Sequence, residues 1–293
     1  AQQSPNHYVV WASSFAWDQA DFEPSRAASQ VAVQLSRAIS KVVGGSPAQA
    51  PISPAVSAAC AEGFSFLARN NPTDCRRAAR RFLHATDLEK DFSPAHAGFA
   101  LAIFQSVTLG DPESAGNIVD AEVSALQALA LDFNAPYAQL ARGAALALVE
   151  WDFNAAQRYV LRAEQWQPSN SPDPLFSAWI ALLKLLPERR FSEAVSLLQP
   201  IVQIFPSHLF ARVVLGTALR LDQRYPQALA VLSAAYEYDT RCGSDALNIA
   251  WTLASSGDLK KAQETLQPHK DTLGRIAPVV GLEGYLAAAQ GQH

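Results

Sequence analysis

One loop has side chains spaced as in a known ion-binding motif. Asp111, Gly116 and Glu122 occupy the first, sixth and twelfth positions of a segment, the places that an EF-hand calcium loop fills with a carboxylate, a turn glycine and a bidentate carboxylate. The fifth position must also supply an oxygen ligand, and it is Ala115. Because that ligand is missing, we interpret the segment as a solvated loop and predict no metal site.

Histidine and cysteine spacing indicates no second site. The 6 histidines never recur three or four positions apart, so no two of them can form a helical metal site. Cys60, Cys75 and Cys242 contain no CxxC pair. Cys75, near a helix start, could have a lowered thiol pKa, but we favour a packed structural thiol. GxSxG, Walker, GxGxxG and HExxH motifs are absent, so we predict no catalytic residue, no cofactor and no enzyme activity in this chain.

Four arginines, Arg76, Arg77, Arg80 and Arg81, cluster on one predicted helix. Such a face could meet phosphate or a partner domain. A charge run on the outer helix of a repeat is normally solvated, and we favour that interpretation. The net charge of −4 and the pI of about 5.9 give no general attraction to nucleic acid, so direct binding of nucleic acid is not expected.

A repeated pair of a large and a small residue identifies the helices that carry the residues described above. Alanines recur every 34 residues (228−194 = 34, 262−228 = 34), each with a large residue three positions earlier: the pairs are Phe191 and Ala194, Tyr225 and Ala228, and Leu259 and Ala262. This period and pattern are typical of the tetratricopeptide repeat (TPR), a helix–turn–helix unit. The small residue lets the two helices of a repeat approach, and the large one fills the gap to the neighbouring repeat.

We therefore predict an all-α TPR superhelix of about six repeats with a C-terminal capping helix. The predicted repeats lie at about 56–91, 93–133, 136–168, 173–206, 209–240 and 243–269, and the cap at about 274–290. In repeat five, Leu215 and Gly216 mark the point where the first helix approaches the second helix most closely. Repeat two has an enlarged turn, because Ala100 and Ala121 are 121−100 = 21 residues apart, against 228−216 = 12 in repeat five.

The register of repeat five, transferred to its neighbours, predicts the residues of a concave groove. They are Phe176, Trp179, Leu183, Phe210, Val213, Thr217, Leu247 and Trp251. An apolar groove of this kind would take a protein, a peptide or a small-molecule effector. It lacks the Lys and Asn positions with which chaperone-binding TPRs hold a carboxylate, so that partner class is disfavoured. A register error of one position would instead make these side chains inter-repeat core, and the sequence leaves both alternatives open.

Residues 1–44 follow a different pattern. Residues 8–13 predict a short buried strand, and an amphipathic helix follows up to Gly44 and Gly45. We expect this segment to be the end of an α/β domain whose earlier strands lie upstream, or else an arm that docks on the repeats. Residues 45–55 predict a Pro/Gly linker, and 56–293 the TPR domain.

The strand–helix segment from His7 to about Ile39 is similar to the end of the TolB-like domain that precedes TPRs in bacterial winged-helix regulators of the CadC and HilA kind. The segments 91–98 (DFSPAHAG) and 150–156 (EWDFNAA) resemble that family's repeat joints. The resemblance implies the sensory or regulatory TPR domain of a bacterial transcription regulator. The same pairing occurs behind some class III nucleotide cyclase domains. The alternatives are therefore the regulatory tail of a cyclase and a general protein–protein interaction scaffold, possibly exported.

No apolar run approaches the roughly 18 residues that span a bilayer, so no membrane span is predicted. The odd and sparse set of cysteines favours the cytoplasm, with the periplasm as the alternative.

Overall fold

The computed structural model describes residues 53–166, 172–237, 243–274 and 277–289. The predicted strand 8–13, the helix after it and most of the predicted linker lie outside the described residues. Residues 54 and 55, the end of that linker, already belong to the first helix, Pro54–Leu67. Every regular element in the described part of the chain is helical, as the sequence predicts.

The described helices form six helix–turn–helix units. The first three units are α1 (Pro54–Leu67) with α2 (Pro72–Leu88), α3 (Ser93–Thr108) followed by the short α4 (Pro112–Ala115) and α5 (Ile118–Leu131), and α6 (Pro136–Leu148) with α7 (Phe153–Trp166). The last three are α8 (Pro174–Ile180) with α9 (Phe191–Ile204), α10 (Leu209–Leu221) with α11 (Tyr225–Tyr236), and α12 (Gly243–Ser255) with α13 (Leu259–Leu266). The predicted six repeats are confirmed, and α4 lies in the turn that was predicted to be enlarged.

Two elements complete the array. After α13, a 3-10 turn, Gln267–His269, leads into the short α14 (Lys270–Leu273), and α15 (Ala277–Ala289) follows. α15 packs on α12 and α13, so the predicted capping helix is confirmed. Within unit four, α8 continues as a π-helical segment, Ala181–Leu185.

Several helices begin where a side chain accepts a hydrogen bond from a backbone N–H of the first turn. Asn71 accepts from the amide of Asp74 at 2.9 Å at the start of α2, and Asp173 accepts from the amide of Phe176 at 3.0 Å at the start of α8. Nδ1 of His208 accepts from the amide of Ala211 at 3.2 Å at the start of α10. Each cap satisfies a donor that the helix itself leaves without a partner.

The small residues of the repeat allow close packing. The repeated alanines Ala194, Ala228 and Ala262 are fully buried. At Gly216 an added Cβ would lie 2.5 Å from the side chain of Leu232 on α11, so no larger residue fits without movement. The close-approach point predicted in repeat five is therefore confirmed.

A residue with positive φ lies in the turn between the two long helices of each unit. These residues are Asn70, Gly110, Trp151, Arg189, Gln223 and Gly257, with φ of 51°, 81°, 56°, 59°, 62° and 93°. The last three recur at the repeat period (223−189 = 34, 257−223 = 34). Left-handed backbone costs a non-glycine residue about 1–2 kcal/mol, so four of these turns hold their residue against its local preference.

The first helices of successive units, α1, α3, α6, α8, α10 and α12, pack in that order along one side of the array. The array curves until unit one meets unit five. There, the backbone N–H of Phe210 at the start of α10 donates to the carbonyl oxygen of Ala68 in the turn after α1, at 3.2 Å. The described repeats therefore form a superhelix that closes on itself between its first and fifth units.

Candidate binding site at the closure of the superhelix

Most of the eight predicted groove residues lie in the core. Six are at most 8% exposed, namely Phe176, Trp179, Leu183, Phe210, Val213 and Leu247. Thr217 and Trp251 are partly buried. Inter-repeat packing, the second alternative, predicts this burial, whereas an open groove predicts exposed side chains. Contact of these residues with a ligand stays a prediction.

Aromatic side chains explain why the inner face is closed. The ring of Phe64 on α1 lies 5.1 Å from that of Tyr137 on α6, and Tyr137 lies 6.0 Å from Phe176 on α8. Trp179 of the same helix lies 5.4 Å from Phe210 on α10. These contacts join units one, three, four and five. Because aromatic rings bury large apolar areas, they stabilise the closed superhelix and occupy its interior.

Trp251 has a separate environment under the capping helix. Its Nε1–H donates to the carbonyl of Pro278 at 3.1 Å, and its ring lies 6.0 Å from that of Tyr285 on α15. The guanidinium of Arg220 lies 6.0 Å from the indole. Trp251 therefore holds the cap on unit six.

A cavity of about 990 Å³ lies beside the closure, and we call it the junction pocket. Five parts of the chain surround it: the turn after α1 with the start of α2, the loop between α3 and α4, the start of α10, the start of α12, and Leu273. Its lining includes Arg69, Thr73, Asp74, Arg76, Arg77, Leu109, Asp111, Ser207, Leu209, Gly243, Ser244 and Leu273. The volume lies at the upper end of the range of about 300–1,000 Å³ that is usual for ligand pockets.

Asp111 anchors one wall of the junction pocket. It is buried, accepts a 2.6 Å hydrogen bond from Arg76, and accepts from the hydroxyls of Ser106 at 2.8 Å and Ser114 at 2.7 Å. Burial of Asp111 works to raise its pKa, but the hydrogen bonds from Ser114, Ser106 and Arg76 outweigh it and hold the pKa below its ordinary value.

The expectation of a solvated loop at Asp111 is therefore wrong for this residue, because three donors fix it inside the fold. Glu122, the other carboxylate of the calcium-like spacing, pairs with Arg142 on α6 at 3.1 Å. Among the described residues, no group of three or more His, Cys, Asp or Glu side chains is arranged to hold a metal ion.

Two arginines at the pocket share one carboxylate. Asp74 accepts from Arg77 at 2.9 Å, and the guanidinium of Arg69 lies 3.9 Å from it. The side chains of Arg69 and Arg77 are 54% and 50% exposed. Each guanidinium has five N–H donors, so one carboxylate leaves most of these donors facing water or a ligand.

The four-arginine cluster is thus divided between different roles. Arg76 and Arg77 line the junction pocket, whereas Arg81 pairs with Glu62 on α1 at 2.7 Å and Arg80 is exposed. The prediction of a merely solvated charge run is wrong for Arg76, whose ion pair to Asp111 is largely buried. Cys75 of the same helix is fully buried, as a packed thiol would be.

No pattern in the amino-acid sequence indicates the junction pocket. Its walls come from segments near residues 70, 110, 208, 244 and 273, which share no motif. Only the curvature of the superhelix brings them together.

Comparison with solved structures shows the fold class. The chain is similar to a human IFIT1 dimer with m7Gppp-AAAA, with a TM-score of 0.55 and 16% identity over 83% of this chain and 55% of that chain. It is also similar to a tetratricopeptide repeat protein from Parabacteroides merdae, with a TM-score of 0.50 and 13% identity over 81% of this chain and 88% of that chain. No protein-family model and no curated protein matches the sequence. The fold is that of a TPR superhelix, and identity this low shows the fold alone.

The described helices differ from membrane-spanning helices. None of them combines the length and the apolar character that crossing a bilayer requires.

Proposed function

We propose that this chain is a TPR interaction module that binds a segment of a partner protein in the junction pocket. The observation that carries the proposal is the pocket itself, an open cavity of about 990 Å³ beside the point where the superhelix closes. Concave sites with apolar walls and a few polar groups are the usual places where proteins bind ligands.

The composition of the pocket suits a peptide segment. Leu109, Leu209 and Leu273 supply apolar surface, while Thr73 and Ser207 supply hydroxyl groups at exposed positions. An extended segment could enter past the exposed rim, bury one or two apolar side chains and form hydrogen bonds at the mouth. A fully enclosed cavity would favour a small molecule instead.

The first test is a selection of random dodecapeptides displayed on phage against the purified chain, followed by fluorescence anisotropy of the selected peptides. Thr73→Trp and Ser207→Trp each place a large side chain at the pocket. Ser233→Trp adds the same side chain at an exposed position of α11 away from it. We expect each pocket variant to weaken binding about tenfold or more and the α11 variant to leave it unchanged.

Selected peptides that bind all three variants equally would place the binding surface elsewhere and contradict the proposal. Native mass spectrometry of the chain as purified provides a second readout. A small molecule that stays bound to the wild type and is lost from Thr73→Trp would make the pocket an effector site instead.

The transcription-regulator hypothesis would make this chain the regulatory domain of a larger protein. Its strand–helix part, from His7 to about Ile39, lies outside the described residues. In the structure, segments 91–98 and 150–156 form the starts of α3 and α7, where Ser93 donates to the carbonyl of Ala128 at 2.9 Å and Asp152 accepts from the amide of Ala155 at 2.8 Å. These contacts stabilise the scaffold and support no particular output. Upstream coding sequence for a winged helix would support the regulator, a cyclase domain the cyclase tail, and a signal peptide the exported scaffold.

A further inference from the structure

We infer that the segment bound in the junction pocket is acidic: it places a carboxylate against Arg69 and Arg77 and apolar side chains against the leucine wall. This inference rests on the proposed function, since it specifies the chemistry of the segment that the pocket accepts. It concerns a surface distinct from the predicted groove residues.

The charges that line the pocket favour an anion. Among the described residues of the lining, the arginines are Arg69, Arg76 and Arg77 and the carboxylates are Asp74 and Asp111, which leaves an excess of one positive charge in a chain whose net charge is −4. Arg76 is engaged by Asp111 at 2.6 Å. The excess therefore lies with the two arginines that share Asp74.

The geometry of these two arginines leaves a place for a second carboxylate. Arg77 forms a 2.9 Å hydrogen bond to Asp74, whereas Arg69 approaches that carboxylate only to 3.9 Å and also lies over the ring of Phe66 at 5.3 Å. A carboxylate can accept paired hydrogen bonds from a guanidinium, and charge-assisted bonds of this kind are about twice as strong as neutral ones. Arg69 in particular has donors to offer.

The helices that begin at the pocket act in the same direction. α2, α10 and α12 each have residues of their first turn or cap in its lining, represented by Thr73, Leu209 and Ser244. A helix N-terminus carries a partial positive charge of roughly half a unit. Asp74 and Asp245, in the first turns of α2 and α12, offset part of this charge. The remaining positive field adds to that of the arginines and favours an anionic group between the helix ends.

The remaining lining favours a peptide over a nucleic acid. None of the described residues that line the pocket is aromatic, so the described walls provide no ring on which a base could stack. Leu109, Leu209 and Leu273 provide aliphatic surface, which suits the side chains that flank an Asp or Glu.

The test uses the peptides selected on the full chain, each made with fluorescein and in a second form with every Asp and Glu replaced by Asn and Gln. Binding is measured by anisotropy to the wild type and to Arg69→Gln, Arg77→Gln and Arg80→Gln. Arg80 is the matched control, because it is exposed on the same helix and does not line the pocket. We expect the amide form to bind about tenfold more weakly, and Arg69→Gln and Arg77→Gln to weaken the acidic form by a similar factor.

Circular dichroism of each variant checks that it is folded, and Arg69→Lys gives a second measurement at the same site, since it keeps the charge and loses the paired geometry. If the affinity of Arg69→Lys for the acidic peptide lies between those of the wild type and Arg69→Gln, the result supports direct contact with a carboxylate.

Any of five results would overturn the inference. Amide and acidic peptides that bind equally well, while Thr73→Trp still blocks them, would remove the acidic preference and leave the proposed function intact. Peptides insensitive to Thr73→Trp, or no selected peptide at all, would remove both. Arginine-dependent binding of fluorescein-labelled decaadenylate RNA, or displacement of the acidic peptide by millimolar inorganic phosphate, would assign the site to phosphate instead.

Discussion

The backbone N–H of Phe210 donates to the carbonyl oxygen of Ala68 at 3.2 Å, across 210−68 = 142 residues of sequence. In an open array each repeat contacts only its neighbours, and stability is approximately a sum of repeat and interface terms. Here unit one also contacts unit five. The closure therefore adds a long-range constraint to an array in which most helix pairs in contact belong to the same unit or to adjacent units.

The closure predicts slow hydrogen exchange at one amide. Phe210 is the second residue of α10, a position whose N–H has no partner inside its own helix. Because Ala68 supplies one, we expect the amide of Phe210 to exchange at least about 100-fold more slowly than an unpaired first-turn amide. Tyr137, the second residue of α6, provides the comparison, since no backbone carbonyl of the described residues accepts from its amide. Similar exchange rates at the two amides, measured by NMR, would show that the closure is open in solution.

The sequence predicts the repeats well because their packing is local and periodic. The alanines at 194, 228 and 262 are buried in equivalent places, and Gly216 lies where the sequence predicts close approach. Each of these positions depends on contacts inside one unit or with the next unit. A pattern of residue sizes along the chain is enough to identify them.

The candidate site is not predictable in this way. The small rotation between successive repeats accumulates over five units before Ala68 meets Phe210. No residue pattern within one repeat determines the total rotation over five units. The π-helical segment 181–185 and the enlarged turn of unit two also depart from the ideal repeat. The burial of the predicted groove residues has a local cause: Trp179 and Phe210 lie on the first helices of adjacent units and pack against each other, and their contact with a ligand stays a prediction.

His208 makes stability depend on pH below neutrality. Burial lowers the pKa of His208 to about 4, although the nearby Asp173 carboxylate acts to raise it. As pH falls below the ordinary histidine pKa of about 6.5, the unfolded chain binds a proton at this residue and the folded chain does not. Stability is therefore lost on acidification until about pH 4. We expect this residue to contribute a loss of about 2 kcal/mol between pH 7 and pH 5.

Urea unfolding of the wild type and His208→Asn at both pH values measures this effect. Asn can replace the cap to Ala211 without titrating, so the variant should lose less stability on acidification. The matched control is His84→Asn, at an exposed position of α2. An equal loss in wild type and His208→Asn would contradict the assignment.

Tyr137 makes stability depend on pH at the alkaline end. Its hydroxyl donates to Asp173 at 2.6 Å. Burial, the Asp173 charge and this hydrogen bond all raise the pKa of Tyr137 well above its usual value of 10.0. The folded chain therefore keeps a proton that the unfolded chain loses, and stability falls as pH rises above about 10.

We expect Tyr137→Phe to lose about 1–3 kcal/mol at pH 7, where a hydrogen bond to a charged group is removed. Above pH 10 its stability should decline less steeply than that of the wild type, by up to about 1.4 kcal/mol per pH unit. Thermal unfolding at pH 7, 10 and 11 measures both effects. Tyr285→Phe, at an exposed position of α15, should keep the wild-type slope, and an identical slope in Tyr137→Phe would count against the raised pKa.

The left-handed turns predict that removing a glycine destabilises the fold and that introducing one at the equivalent position of another repeat stabilises it. Gly257 has φ of 93°, and an added Cβ would meet no atom within 4 Å, so Gly257→Ala introduces backbone strain without a clash. We expect that substitution to cost about 1 kcal/mol. Gln223, 34 residues earlier, has φ of 62°, and Gln223→Gly should gain a few tenths to about 1 kcal/mol by relieving the same strain.

Gly116 serves as the control that separates the backbone strain of a left-handed residue from the general effect of adding a methyl group. Gly116 has φ of −64°, and its added Cβ would lie no closer than 3.7 Å to any atom. Gly116→Ala should therefore be neutral or stabilise by up to about 1 kcal/mol, because it only restricts the unfolded chain. Chemical denaturation of the three variants gives the comparison. If Gly257→Ala is no less stable than Gly116→Ala, the left-handed conformation of the sixth turn carries no strain for alanine, and the shared turn geometry does not explain where this chain needs glycine.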